Sequence, residues 1–269
     1  MKTPLPLIKW SGSKRSQARK IVSYFPQKIN TYFEPFLGGG SVLGTFSPPK
    51  AVCGDICAPL IEIWNIAKTN PEYLSKEYEK RWLNLQQEGY LYYYKIRKSF
   101  NKKQNPLDLL FISRTCVNGL IRFNRNGVFN NSFHHSRKGI QPSKFKKITY
   151  TWSKIIKNYK FLVKDYKELT ERAGKRDFIY LDPPYFNTRG RYFGGIDFEK
   201  FLKFLEELNK RDIKFALSFD GKRGDKSFII NMPKCIYKRH LLLHSGNASF
   251  NKLQNNKIEP VYESLYLNF

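Results

Sequence analysis

Four apolar residues, Phe178-Ile179-Tyr180-Leu181, run straight into Asp182-Pro183-Pro184-Tyr185, and this junction constrains the fold more than any other stretch of the chain. A short apolar run bounded by turn residues has the length of a strand buried on both faces. Two successive prolines cannot extend it, because each fixes φ and lacks an N–H. The strand therefore stops at Leu181 and delivers a carboxylate, carbonyls with no competing donor nearby, and an aromatic ring at its carboxyl end. Open α/β sheets place ligands at that end of their strands. Asp182 and the Pro183 carbonyl suit one amino group as joint acceptors, and Tyr185 suits a flat ring. The exocyclic amine of a nucleobase fits this set better than a sugar, a phosphate or a peptide. Asp-Pro-Pro is also ordinary turn chemistry, so the rest of the sequence has to decide.

Strand and helix signals alternate around this point. A loop and helix are expected over 10–25, strands over 31–34 and 51–55, and helical pattern over 60–115. Asn70-Pro71 provides an N-cap and a first-turn proline for a helix running toward Gln87, and Pro106 starts the apolar run 107–112. Asn126-Gly127 is a two-residue hairpin signal between 120–124 and 128–130, with Leu120, Arg122 and Asn124 expected on one face. A helix over 142–159, a strand over 161–164, an amphipathic helix over 198–208 and a buried strand over 213–218 follow. Two more strands, 236–243 and 261–267, suit a closing antiparallel pair. The expected fold is α/β, with a mixed, mainly parallel sheet covered on both sides. A helical, hairpin-bearing block interrupts the alternation, so the chain divides into 1–57 plus 140–269 and an insertion, 58–139.

Charge gives that block a purpose. The chain carries a net +26, and Lys95 to Lys160 contains 16 Lys or Arg against one acid, Asp108, for +15 of the total. Such a field attracts polyanions, nucleic acid above all. The aromatics interleaved with the cations (Phe100, Phe123, Phe129, Phe133, Phe145, Tyr150, Trp152) favour a nucleic-acid surface over a merely solvated face. No basic amphipathic helix points to a membrane, no signal-peptide pattern opens the chain, and no apolar run reaches spanning length, so a cytoplasmic protein is expected. Cys53, Cys57, Cys116 and Cys235 form no C-x-x-C pair and read as reduced thiols. His240 and His244 share a strand face without a third ligand, and no metal is expected.

Glu34-Pro35-Phe36-Leu37-Gly38-Gly39-Gly40-Ser41 follows the first strand, and Asp55 ends the next. Glycines there permit positive φ and close approach to a ligand, and Asp55 suits ribose hydroxyls. Gly38, Gly40 and Gly44 partly match a nicotinamide-dinucleotide fingerprint, with the third glycine one position late. A glycine loop with no pyrophosphate to cradle suits S-adenosylmethionine.

Lys9-Trp10-Ser11-Gly12-Ser13-Lys14, then 34–41 with Asp55, then 182–185 stand in one order, and in that order the chain resembles the Dam-like, D12-class, α-group DNA adenine-N6 methyltransferases. The resemblance spans nearly the whole chain, including Asn118 to Asn124. It implies a class I, Rossmann-like methyltransferase fold with an inserted DNA-recognition domain, and S-adenosylmethionine as methyl donor. It implies that Trp10, Lys14, Glu34, Pro35, Phe36, Gly38, Gly39, Gly40, Ser41, Asp55, Asp165 and Asp182 surround that donor. Asp182, Pro183, Pro184 and Tyr185 would hold the target adenine, and Lys9, Asn118, Leu120, Arg122 and Asn124 would meet DNA, with Arg122 reading a guanine. Val117, Ser132 and Ser136 depart from the pattern around the hairpin, so the target need not be GATC. The resemblance also implies a prokaryotic or phage source, double-stranded DNA as partner, a monomer or weak dimer, and compatibility with a cognate restriction endonuclease.

Three other readings share these features. A cytosine-N4 methyltransferase uses the same amine chemistry, although serine is commoner there at the position of Asp182. Basic charge and aromatics also suit RNA. A binder that has lost catalysis would keep the fold but not the intact tetrapeptide, glycine loop and Asp55.

Overall fold

The computed structural model describes residues 3–124, 126–136, 138–184, 196–247 and 259–269. Tyr185 lies outside them. The strands β1 (Tyr32–Glu34), β2 (Ala51–Asp55), β3 (Lys160–Val163), β4 (Phe178–Leu181), β5 (Lys214–Arg223), β6 (Lys226–Ser227), β7 (Arg239–Asn247) and β8 (Pro260–Leu267) form one sheet. Its order is β3-β2-β1-β4-β5-β8-β7, with β6 on β5. The first five positions are parallel, and β8 runs antiparallel between β5 and β7. The mixed, mainly parallel sheet and its closing antiparallel pair are as expected.

Alternation explains why β4 is apolar throughout. Phe178 and Tyr180 face one core, with Tyr32, Cys53, Phe161 and Leu265, while Ile179 and Leu181 face the other, with Phe215 and Leu217. The second core is closed by α9 (Phe198–Lys210) through Phe201, Phe204, Leu205 and Leu208, a helical stripe. Tyr32 pairs with both Ala51 and Phe178, so β1 sits between β2 and β4 and all three release their loops on one edge. That edge, where the chain leaves β1 in one direction and returns through β4 in the other, is the crevice in which open sheets hold ligands.

Several boundaries differ from expectation. The 10–25 helix reduces to a 3-10 turn, Lys14–Ser16, and α1 (Ala18–Val22), and the short helix after the glycines is α2 (Ser41–Phe46). The pattern over 60–115 is four helices, α3 (Ala58–Thr69), α4 (Pro71–Glu88), α5 (Tyr90–Lys103) and α6 (Pro106–Thr115), broken at Pro71, Gly89 and Pro106. Asn70 caps as expected, accepting from Tyr73 N (3.0 Å), and Asn105 caps the helix that Pro106 starts, accepting from Leu107 N (2.8 Å). The helix α7 (Pro142–Ile156) stops short of Tyr159. The strand expected from Ile236 begins at Arg239, because Ile236 closes a turn onto the Pro233 carbonyl. The strand β5 continues past Ser218 because Gly221 lets it pass the Tyr262 carbonyl, which a Cβ would meet at 2.1 Å.

The aromatics of the basic block do not form a surface. Phe100, Phe123, Phe129, Phe133, Phe145 and Trp152 are all buried in the core that also holds Tyr32 and Phe178. Only Tyr150 is exposed, and its hydroxyl donates to Glu72. Burial of apolar rings outweighs their availability for stacking. Asp108, the lone acid, is buried too, held by Arg81 at 3.0 Å and Ser99 at 2.8 Å. The outer face of the block is therefore left to cations. Arg114 is an exception among them: it is buried, donates to the carbonyls of Leu7 (3.0 Å) and Pro6, and lies over Phe145. Burial lowers its pKa to about 10.

Candidate active site

Each acid at the sheet edge is placed by the strand that ends in it. Glu34 closes β1, Asp55 closes β2, and Asp182 is the first residue after β4. They line one cavity of about 300 Å³ together with Trp10, Lys14, Pro35, Phe36, Gly38, Gly39, Gly40, Ser41, Asp165, Pro183 and Pro184. Residues separated by more than 170 positions thus meet at one place because parallel register brings their strand ends together.

The glycine loop works by close approach. Gly38 and Gly40 have φ of +46° and +63°. A Cβ on Gly38 would come 2.7 Å from Trp10 Cδ1, and one on Gly40 would come 2.9 Å from Trp64. The indole of Trp64 also donates to the Gly38 carbonyl at 3.2 Å. Trp10 is therefore a wall built against the loop, and Ser13 ties the same N-terminal segment to Ser41, hydroxyl to hydroxyl, at 2.8 Å. Asp55 accepts from Cys57 N (3.0 Å) and from Gly38 N (3.3 Å), which fixes its carboxylate beneath the loop. Burial raises its pKa to about 6 against those backbone donors. Asp165 lines the cavity while capping α8 (Tyr166–Thr170), accepting from Lys167 N and Glu168 N.

The other end of the cavity is an ion cluster. Lys14, 4% exposed, holds Asp182 at 2.7 Å and Glu263 at 3.5 Å, and donates to the Gly12 carbonyl at 3.2 Å. Burial raises Asp182 to about 6; Lys14 opposes that rise and Glu263 adds to it. Glu34, buried below, accepts from the Tyr32 hydroxyl at 2.7 Å, and burial pushes it to about 8. Two neighbouring carboxylates with unequal environments result, one protonated near neutrality and one ionised.

Lys9, Asn118, Leu120, Arg122 and Asn124 lie outside this cavity and gather at the hairpin. Leu120, Arg122 and Asn124 are exposed while Ile121 and Phe123 are buried, the alternation the sequence shows. The turn itself is not the two-residue form: Asn124 N donates to Val128 O at 2.9 Å, and Gly127 N to Asn124 O at 3.0 Å. Three residues therefore lie between the paired positions, and Gly127 at φ +70° closes them. The Asn124 side chain is engaged locally, accepting from Asn126 N (3.0 Å) and Val128 N (2.9 Å). The Lys9 stem packs on Gly119, where a Cβ would come 2.6 Å from its Cδ.

Sequence reasoning missed Glu263, Tyr166, Asp197 and Lys200, the last three of which line the cavity. Asp197 was legible as the N-cap of α9, where it accepts from Lys200 N at 3.2 Å. Tyr166 stacks on Phe36 with centroids 5.6 Å apart. Glu263 had no signal, since its place near Lys14 follows from how β8 pairs with its neighbours in the sheet.

Comparison with known proteins agrees with this geometry. Residues 10–258 match the family described as D12 class N6 adenine-specific DNA methyltransferase. Type II methyltransferase M.MjaIII of Methanocaldococcus jannaschii is 29% identical over 98% of this chain and 99% of its own. Type II methyltransferase M.FokI of Planomicrobium okeanokoites is 27% identical over 100% of this chain, which spans 43% of that protein. A DNA adenine methylase of Vibrio cholerae is 31% identical over 69% of this chain and 66% of its own. The chain belongs to the D12 class of N6 adenine-specific DNA methyltransferases.

Proposed function

We propose that the cavity holds S-adenosylmethionine, with Asp55 at its ribose, the 34–41 loop around its centre, and Asp182 beside the reacting methyl. The residues present fit such a ligand: the glycine loop, packed without Cβ atoms against Trp10 and Trp64, lines a space of about 300 Å³ together with Asp55 and Asp182. The donor would supply an electrophilic methyl group and leave as S-adenosylhomocysteine, and the methylated amine would then shed one proton. The chain's own residues hold and orient the acceptor. An adenine inside a duplex cannot reach a cavity of this kind, so it is swung out of the stack.

The observation that carries the reading is the Lys14–Asp182 pair. The N6 lone pair of adenine is delocalised into the ring and is a poor nucleophile. Acceptors for its two N–H groups draw the pair toward the methyl carbon. Lys14 occupies one oxygen of Asp182 and leaves the other to accept from N6, while the Pro183 carbonyl takes the second hydrogen. The ammonium also favours the ionised carboxylate, the stronger acceptor. Rate enhancement then comes from positioning and fixed charge, with no covalent intermediate. Tyr185 is the stacking platform in this reading.

The hairpin and the cationic face around it are the DNA-recognition part, with Arg122 reading a guanine and Lys9, Asn118, Leu120 and Asn124 near the bases. We take the insertion as 58–139; its first helix, α3, packs on α4, α6 and α7 as well as on β2 and β3, and stacks Trp64 on Phe161 (5.7 Å). The names of the type II relatives support a restriction endonuclease of the same specificity as partner. A cytoplasmic monomer suits this work; among the described residues no helix is long and apolar enough to cross a membrane.

The test is transfer of labelled methyl from S-adenosylmethionine to duplex DNA, single-stranded DNA and RNA, with the products digested to nucleosides. N6-methyladenosine in the deoxy series, from duplex DNA, is the expected label. Label in N4-methylcytosine or in RNA alone contradicts the reading.

A further inference from the structure

The segment from Lys9 to Lys14 touches both the glycine loop and the hairpin. On one side Trp10 lies over Gly38 and Gly39, and Ser13 meets Ser41. On the other, the Ser11 hydroxyl accepts from Ile121 N at 2.8 Å and donates to Ile121 O at 2.9 Å. In an antiparallel ladder a residue exchanges both backbone groups with one partner residue. Here a single side chain, 110 positions away, takes the place of that partner.

Ile121 lies between Leu120 and Arg122, both exposed, and its own side chain is 2% exposed. With its apolar group buried and both backbone groups bonded, the backbone at 121 has one position relative to the cavity wall. Arg122 extends from that position and is further held by Asn130, through Nε to Oδ1 (2.8 Å) and Nη2 to the carbonyl (3.2 Å). One edge of the guanidinium is committed to Asn130, and Nη1 with the outer hydrogen of Nη2 remains as a fork for a guanine edge.

We propose that Ser11 is a positioning residue for sequence readout, fixing the spacing between the base read by Arg122 and the amine offered to Asp182. This rests on Arg122 reading a base, as proposed above. Loss of the hydroxyl leaves two backbone groups of Ile121 without their partner, and the reading segment then shifts against a donor cavity that stays in place.

The test maps methylated adenines across the genome of a methylation-deficient host expressing wild type, Ser11→Ala, Ser11→Cys, Ser11→Thr or Arg122→Ala. The cysteine variant keeps the side-chain shape with a weak hydrogen-bonding group, should alanine fail to fold. Ser11→Ala and Ser11→Cys are expected to lose roughly tenfold discrimination at the position that Arg122→Ala relaxes. Ser11→Thr restores it. Relaxation in Arg122→Ala with the full site retained in both Ser11→Ala and Ser11→Cys overturns the role of Ser11. An unchanged site in Arg122→Ala with relaxation in the Ser11 variants removes Arg122 as reader and overturns the proposed Ser11–Arg122 coupling, while the relaxation itself separates that outcome from a Ser11 without any role. No change in any variant overturns both.

Discussion

The Lys14 ammonium, buried at the cavity edge, lies 2.7 Å from one oxygen of Asp182 and 3.5 Å from Glu263. One cation therefore serves two carboxylates, and it opposes the burial that raises the pKa of Asp182. Burial places Asp182 at about 6 even with Lys14 beside it. The ionised form is the stronger acceptor for N6, so the single-turnover rate is expected to fall as pH drops through that value. In Lys14→Met the opposing charge is gone, and the same fall occurs at higher pH, by about one unit or more. An acid limb that stays in place in Lys14→Met contradicts the pairing.

Glu34 has the opposite significance, for stability. Its folded pKa, raised by burial from 4.5 to about 8, lies above its unfolded value. Between those values the folded state binds the extra proton, so this group's contribution falls as pH rises from about 4.5 to about 8. Glu34→Gln retains an acceptor for Tyr32 and removes the titration. Its melting temperature relative to wild type is expected to rise from pH 5 to pH 8, by the equivalent of a few kcal/mol, on the order of the shift. A constant difference across that range contradicts a buried, proton-binding Glu34.

Gly40→Ala places a Cβ 2.9 Å from Trp64 at a φ of +63°. The variant is expected to lose about 1–3 kcal/mol of stability and to bind S-adenosylmethionine at least tenfold more weakly, measured by calorimetry. Wild-type affinity would remove the loop from the donor site.

The basic block has a salt signature. If six to ten phosphates are neutralised, affinity for non-specific duplex falls by about 10³–10⁵ between 50 and 200 mM salt. A nearly flat dependence contradicts an electrostatic DNA face.

The sheet and much of the cavity were legible because their signals are local. Strand ends carry their own acids, prolines and glycines, as at 34–41 and 182–184, and helix starts carry caps, as at Asn70 and Asn105. Glu263 was illegible because its position depends on the pairing of β8 with distant strands. The aromatics near 100–152 were misread for a related reason. Interleaving with cations in sequence says nothing about side, and helices and a hairpin turn the rings inward while the charges stay out.

The most direct measurement is single-turnover methyl transfer by Asp182→Ala, with S-adenosylmethionine affinity and folding measured on the same protein. Transfer at least 10²–10³-fold below wild type, with donor affinity and melting behaviour preserved, is the predicted result. Near-normal transfer by that variant would contradict the account.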